Sequence, residues 1–183
     1  MPSAIINALM FTSGLDEMKR REFLRYAAAT TAGTVLPLRS AYAGASAPDP
    51  FYANGFPDLE GRQVDLTAFL GKPLVLNFWA TWCAPCVKEM PDLDALHKKY
   101  GHVGFVGLAV DTAVNVEKFT EKVRVSYPLL IGGHGGIKLM RALGNKQGGL
   151  PFTVVFDKRG KVARQLLGQI KPAELDKIIV GMS

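Results

Sequence analysis

The chain has 183 residues, 48% of them apolar and 21% charged, a globular composition for one domain of ordinary size with or without a tail. Its longest apolar runs fall far short of the roughly 18–20 residues that a membrane helix needs, which excludes a multi-span membrane protein. Two cysteines exclude a disulfide-stapled mini-protein and four-thiolate zinc or iron–sulfur ligation, and the formal charge of +6 is scattered rather than gathered into a nucleic-acid-binding stripe.

The N-terminus reads as an address. Lys19-Arg20-Arg21-Glu22-Phe23-Leu24-Arg25 is a paired-arginine cluster, followed by a mild Ala-, Thr- and Gly-rich stretch from Tyr26 to Leu38. Ala41-Tyr42-Ala43 closes it with the small-x-small pattern that a signal peptidase reads. Adjacent arginines, a weakly apolar middle and Arg39 beside the cleavage region resemble a twin-arginine signal, a receptor-read address and not an anchor. Met18 stands directly before the basic cluster, so translation is expected to start there. The resulting division is an export signal over 1–43, a loose leader over 44–56 and one domain over 57–183, with no internal repeat.

Within the domain, strand and helix alternate. Leu59-Glu60-Gly61-Arg62-Gln63-Val64 suggests a small hairpin. The nearly continuous apolar run from Pro73 to Trp79 predicts a strand buried on both faces. Val87, Met90, Leu93, Leu96 and Tyr100 recur at helical spacing, predicting a helix over 85–100 with Pro91 as a kink. A second buried strand is expected over 103–110, a helix over 116–123 and a short strand over 127–131. The glycine-rich stretch 132–136 is expected as a flexible loop leading to a helix around 137–143. Two apolar runs, 152–156 and 162–167, flank the turn sequence Asp157-Lys158-Arg159-Gly160 and predict a hairpin. Pro172 then starts a closing helix bearing Leu175, Ile178 and Ile179. A β-α-β half followed by a β-β-α half implies an α/β fold with a central mixed sheet flanked by helices.

The chemistry concentrates where the first buried strand meets its helix. Trp82-Cys83-Ala84-Pro85-Cys86 holds both cysteines of the chain in a C-x-x-C motif. A helix N-terminus stabilises thiolate, the reactive form, and Cys83 occupies the position where that effect is strongest. Cys86, one turn in, is placed to attack a mixed disulfide and release the partner. Pro85 limits the flexibility of the turn. Half of a zinc site would need two further ligands, and His97, His102 and His134 form no ligand-spaced pair. Lys88 reads as a solvated helix residue and His134 as a loop histidine.

The segment from Val75 to Pro91 resembles the active-site region of thioredoxin-fold proteins of the TlpA/ResA type, and the similarity runs from about Phe56 to Ile179. It includes an insertion around 113–144 that plain thioredoxins lack. The stretch from Gly149 to Asp157 is similar to the family's second motif, which implies that Pro151 is a cis-proline lying against the dithiol. The backbone of Leu150 would then pair with an extended substrate segment, Trp82, Ala84 and Pro85 completing the substrate-binding rim. Where thioredoxins carry a buried aspartate six residues before the first cysteine, this chain has Asn77, which cannot titrate. Glu89 matches the glutamate that the TlpA/ResA type often carries three residues after the second cysteine, and is the expected acid/base group.

What the resemblance implies is a periplasmic reductant of disulfides in cell-envelope proteins, in cytochrome c maturation or copper-site assembly. It would act as a monomer without cofactor or metal, through Cys83 and Cys86, with electrons from a membrane thiol reductase of the DsbD/CcdA kind and no nucleic-acid partner. Two alternatives remain open at this point. An oxidase of the DsbA kind would carry a His-containing dipeptide between its cysteines, which is absent. A Cu(I)-binding assembly factor could use His134 as a distal ligand, but such proteins usually space their cysteines by three residues. A peroxidase of the peroxiredoxin sort would need a different cysteine motif.

Overall fold

A computed structural model describes residues 47–182; the expected export signal and the start at Met18 lie outside the described residues. The elements are β1 (Gly55–Pro57), β2 (Gln63–Asp65), β3 (Leu74–Trp79), α1 (Ala84–Lys99), β4 (Gly104–Ala109), α2 (Ala113–Thr120), β5 (Leu129–Ile131), α3 (Gly133–Ala142), β6 (Phe152–Phe156), β7 (Val162–Leu167) and α4 (Pro172–Val180). β1 and β2 form a separate two-stranded ribbon, and the other five strands make a mixed sheet in the order β5-β4-β3-β6-β7. β3, β4 and β5 run parallel, while β6 is antiparallel to β3 and β7 to β6.

β3 is central, and all six of its residues are buried, which is why its sequence reads as a continuous apolar run rather than an alternation. The two-residue period still sorts its side chains by face. Leu74, Leu76 and Phe78 join Val106, Leu108, Val154 and Phe156 in a core that Leu139 and Met140 of α3 cover. Val75 and Trp79 face the other way and pack with Met90, Leu93 and Leu96 of α1, Val116 of α2, and Leu175 and Ile179 of α4.

Three expectations are corrected by the structure. The leader expected as loose over 44–56 is fastened from Asp49 onward: Pro50–Ala53 form a 3-10 turn capped by the Asp49 carboxylate, which accepts the Phe51 N–H at 2.8 Å. Phe51 and Tyr52 are buried, and Phe51 stacks on Phe156 with ring centroids 4.7 Å apart. Two adjacent aromatics thus outweigh the loop-like composition around them. The glycine-rich stretch is the first turn of α3 rather than a loop. A Cβ on Gly132 would stand 3.0 Å from both the Ala109 carbonyl oxygen and Leu108 Cγ, so glycine there lets α3 begin directly against the end of β4. The hairpin read at 59–64 is present with its strands displaced outward. Residues 58–62 form its turn, closed by the Asp58 carboxylate accepting the N–H groups of Glu60 and Arg62.

A candidate dithiol active site

β3 ends at Trp79, and four residues later Cys83 caps the N-terminus of α1. Cys83 and Cys86 are joined by a disulfide, with Cα atoms 5.3 Å apart. The Cys86 N–H donates to Cys83 Sγ at 3.3 Å, the position at which an N-cap oxygen usually accepts. The same donor and the helix dipole favour a thiolate at Cys83 once the bond is reduced. Cys83 retains 5% exposure and Cys86 none, so one sulfur lies at the solvent edge and the other is sealed. Trp82 is 70% exposed beside them, and Ala84 and Pro85 are exposed as well.

Behind the sealed sulfur lies a buried polar cluster. Glu89 follows Cys86 by one helical turn on the inward side of α1 and has no exposed surface. One carboxylate oxygen accepts from Asn77 Nδ2 and the other from the Ile170 backbone N–H, both at 2.8 Å. Asn77 Nδ2 also donates to Thr153 Oγ1 at 3.0 Å, while Asn77 Oδ1 is buried and has no partner among the described residues. Burial raises the pKa of Glu89 above the ordinary carboxylate value, with the donors from Ile170 and Asn77 offsetting only part of the rise. Glu89 is thus unlike the exposed carboxylates of an ordinary helix surface.

The Leu150–Pro151 peptide is cis. Phe152, the next residue, pairs with Phe78 of β3, which puts Pro151 at the same end of the sheet as the disulfide. Pro151 is buried and Leu150 half-buried, and the Pro151 carbonyl accepts the Gly168 N–H at 2.8 Å.

Two residues that the sequence reading passed over brace this end of the molecule. Buried Asn145 donates from Nδ2 to the Gly149 carbonyl at 2.7 Å and accepts the Gly148 N–H at 3.0 Å, fixing the approach to Pro151. Asp111, at the end of β4, accepts from Thr81 N at 3.0 Å and Thr81 Oγ1 at 2.6 Å, and also from Thr112 N and Asn115 Nδ2, both at 2.8 Å. Burial pushes the Asp111 carboxyl up, but the donors from Thr81, Asn115 and Thr112 outweigh it and hold the pKa below its ordinary value. The available signal was a turn-forming Asn ahead of Gly-Gly and an Asp-Thr pair at a strand end, both of which also occur in ordinary loops. His134 lies exposed on the first turn of α3, and Lys88 is exposed on α1. Among the described residues, no group of three or more His, Cys, Asp or Glu side chains is arranged to hold a metal ion.

Residues 43–165 match the AhpC/TSA family. The chain is similar to the thiol-disulfide oxidoreductase ResA of Geobacillus thermodenitrificans, 38% identical over 135 residues that cover 72% of this chain and 73% of the relative. Among solved structures it is similar to MTB DsbF in its mixed oxidized and reduced forms, at 26% identity and a TM-score of 0.66, covering 75% of this chain and 100% of that one. It is also similar to the thioredoxin-related protein from Neisseria meningitidis serogroup B, at 32% identity and a TM-score of 0.62, covering 69% of this chain and 97% of that one. No helix among the described residues is long and apolar enough to cross a membrane. With a C-x-x-C disulfide at a helix N-terminus of a thioredoxin-like sheet, the chain belongs to the AhpC/TSA family and, within it, to the thiol-disulfide oxidoreductases of the ResA kind.

Proposed function

We propose that the protein is exported through a twin-arginine signal over residues 1–43, read from Met18, and works in the periplasm as a monomeric reductant of disulfides in cell-envelope proteins. Residues 57–183 would form the working domain together with the segment from Asp49 that packs into its core. Cys83 thiolate attacks a substrate disulfide, forming a mixed disulfide and expelling one substrate thiolate. Cys86 gives its proton to Glu89 and attacks Cys83 Sγ, closing the Cys83–Cys86 bond and releasing the second substrate thiol. Two electrons pass to the substrate, and a membrane thiol reductase of the DsbD/CcdA kind returns two to the protein. Trp82, Ala84, Pro85, Leu150 and Pro151 form the surface on which the substrate segment lies. Substrates of the cytochrome c maturation or copper-site assembly type fit this chemistry.

The observation that carries the reading is the pairing of an edge sulfur, Cys83, with a sealed one, Cys86, one turn before a fully buried carboxylate. A burial-raised carboxyl suits the transfer of a proton to and from a thiol. The test is the equilibrium reduction potential of the Cys83–Cys86 pair against glutathione or dithiothreitol. A value near that of thioredoxin, about −270 mV, supports an envelope reductant; one near that of DsbA, about −120 mV, makes the protein a disulfide-forming oxidase instead.

A further inference from the structure

The parallel half of the sheet ends in a crevice that thiol exchange leaves unused. β4 continues into α2, whose Val116 packs in the core beneath α1, whereas β5 continues into α3, whose Leu139 and Met140 pack in the core on the opposite face. Helices departing to opposite sides leave a gap at the carboxyl ends of the strands, the place where open α/β sheets receive ligands. Here the gap is a cavity of about 390 Å³ walled by Val110, Asp111, Ile131, His134 and Ile137. Val110, Ile131 and Ile137 are each half-buried, so the interior presents aliphatic carbon.

Two features tie this cavity to the disulfide. Asp111, one of its walls, holds both the N–H and the hydroxyl of Thr81, two residues before Cys83. Val114 on the first turn of α2 is 57% exposed and Trp82 more so, two large apolar side chains left to solvent on segments that flank Asp111 and the disulfide. At about 3.3 Å per residue, an extended chain bonded to Cys83 reaches Asp111 within about three or four residues. The chemistry of the walls selects the occupant. Asp111 already accepts from Thr81, Thr112 and Asn115, so it has little left for a cation or a polar ligand, while the three aliphatic residues gain by leaving water.

We propose that the cavity is a specificity subsite that receives an aliphatic or aromatic side chain of the substrate protein, about three or four residues from the substrate cysteine bonded to Cys83. The inference rests on the reading of the protein as a reductant of protein disulfides, and it adds which disulfides are preferred: those flanked by an apolar residue at that spacing.

The test uses the reduced full chain and cysteine peptides activated as mixed disulfides with 5-thio-2-nitrobenzoate. The peptides are identical except for Leu or Ser at the third and fourth positions on either side of the cysteine. Cys83 thiolate attacks the peptide sulfur, the coloured thionitrobenzoate thiolate leaves, and Cys86 then displaces the peptide thiol. On one side of the cysteine, the Leu peptide is expected to react at least about fivefold faster than its Ser counterpart. In I137S and I131T that ratio falls toward one, while the rate with free 5,5′-dithiobis(2-nitrobenzoate), too small to reach the cavity, stays at the wild-type value and reports an intact site. Ile137 is half-buried but, unlike Ile131, is not packed against either core, so I137S keeps the test available even where I131T disturbs β5. Equal rates for Leu and Ser peptides, or a preference that survives I137S, overturns the subsite alone. No reaction with any peptide, alongside a normal reaction with the small reagent, overturns the protein-disulfide reductant reading and the subsite with it.

Discussion

The two faces of the central sheet are built by the same alternation and carry different burdens. Toward α3, every residue that β3 presents is apolar, and the stack of Phe51 on Phe156 closes that core. Toward α1, the same strand places Asn77 between Val75 and Trp79, and Asn77 meets Glu89 and Thr153, all three buried. A buried carboxylate is costly even when hydrogen-bonded. The fold therefore draws stability from one face, while the other carries a buried carboxylate whose cost is offset only by the chemistry proposed for it.

The comparison breaks most sharply at the sulfur itself. C83S is expected to lower the reduction of insulin disulfides on the order of a thousandfold or more, with urea unfolding little changed. On the opposite face, F156A should cost about 3–5 kcal/mol in urea denaturation while leaving the reduction potential in place. A shift in potential as large as that of a site variant would show that the two faces are not separable.

E89Q tests the costly side. Proton transfer from Cys86 loses its acceptor, so exchange should slow by about tenfold or more, and the pH profile of thiol alkylation at Cys86 should move. Stability should change in the other direction. The folded pKa of Glu89 is raised, so its favourable contribution is full below the unfolded value, about 4.3, and is lost as pH rises through the folded one. E89Q therefore gains stability at neutral pH relative to the wild type and flattens the decline on that side. Asp94 works with the opposite sign. Burial pushes its carboxyl up, but Lys98 and Ser126 hold it down at about 2, so its contribution is lost as pH falls toward that value. Urea melts at about pH 4 and about pH 8 check both signs.

Smaller effects sharpen the picture. N145A removes the side-chain donor to the Gly149 carbonyl and the nearer of two acceptors of the Gly148 N–H, leaving the latter the Asn145 backbone carbonyl at 3.3 Å, and should cost about 1 kcal/mol. It should slow exchange with protein disulfides more than with a small aromatic disulfide, because only the former needs the surface before Pro151. K88A, on the exposed side of α1, should leave stability within about 0.5 kcal/mol and the potential unchanged.

Much of this was legible in the residues. Continuous apolar runs gave β3, β4 and β6, helical spacing gave α1, and two cysteines at a strand–helix junction gave the dithiol. What stayed hidden depended on contacts distant in sequence. Glu89 looks like any helix carboxylate until Ile170, 81 residues on, donates to it. Phe51 and Tyr52 look like part of a tether until Phe156 is placed against them. The glycines at 132–136 suggest mobility, yet Gly132 is dictated by the Ala109 carbonyl and Leu108. Local pattern reports which residues are to be covered; it does not report by what.

Asn77 has a consequence that reaches past its two hydrogen bonds. A primary amide is a donor at one end and an acceptor at the other, and only the donor end of this one is engaged. That arrangement suits an ionised Glu89. Were the carboxyl to take up a proton, half a turn of the amide would bring Oδ1 to the new O–H, at the expense of the bond from Nδ2 to Thr153 Oγ1. Asn77 thus links the helix that carries the cysteines, through Glu89, to the strand that follows Pro151, through Thr153. With Glu89 in the role proposed for it, the proton of each redox cycle would come and go beneath the disulfide while the sheet keeps its register.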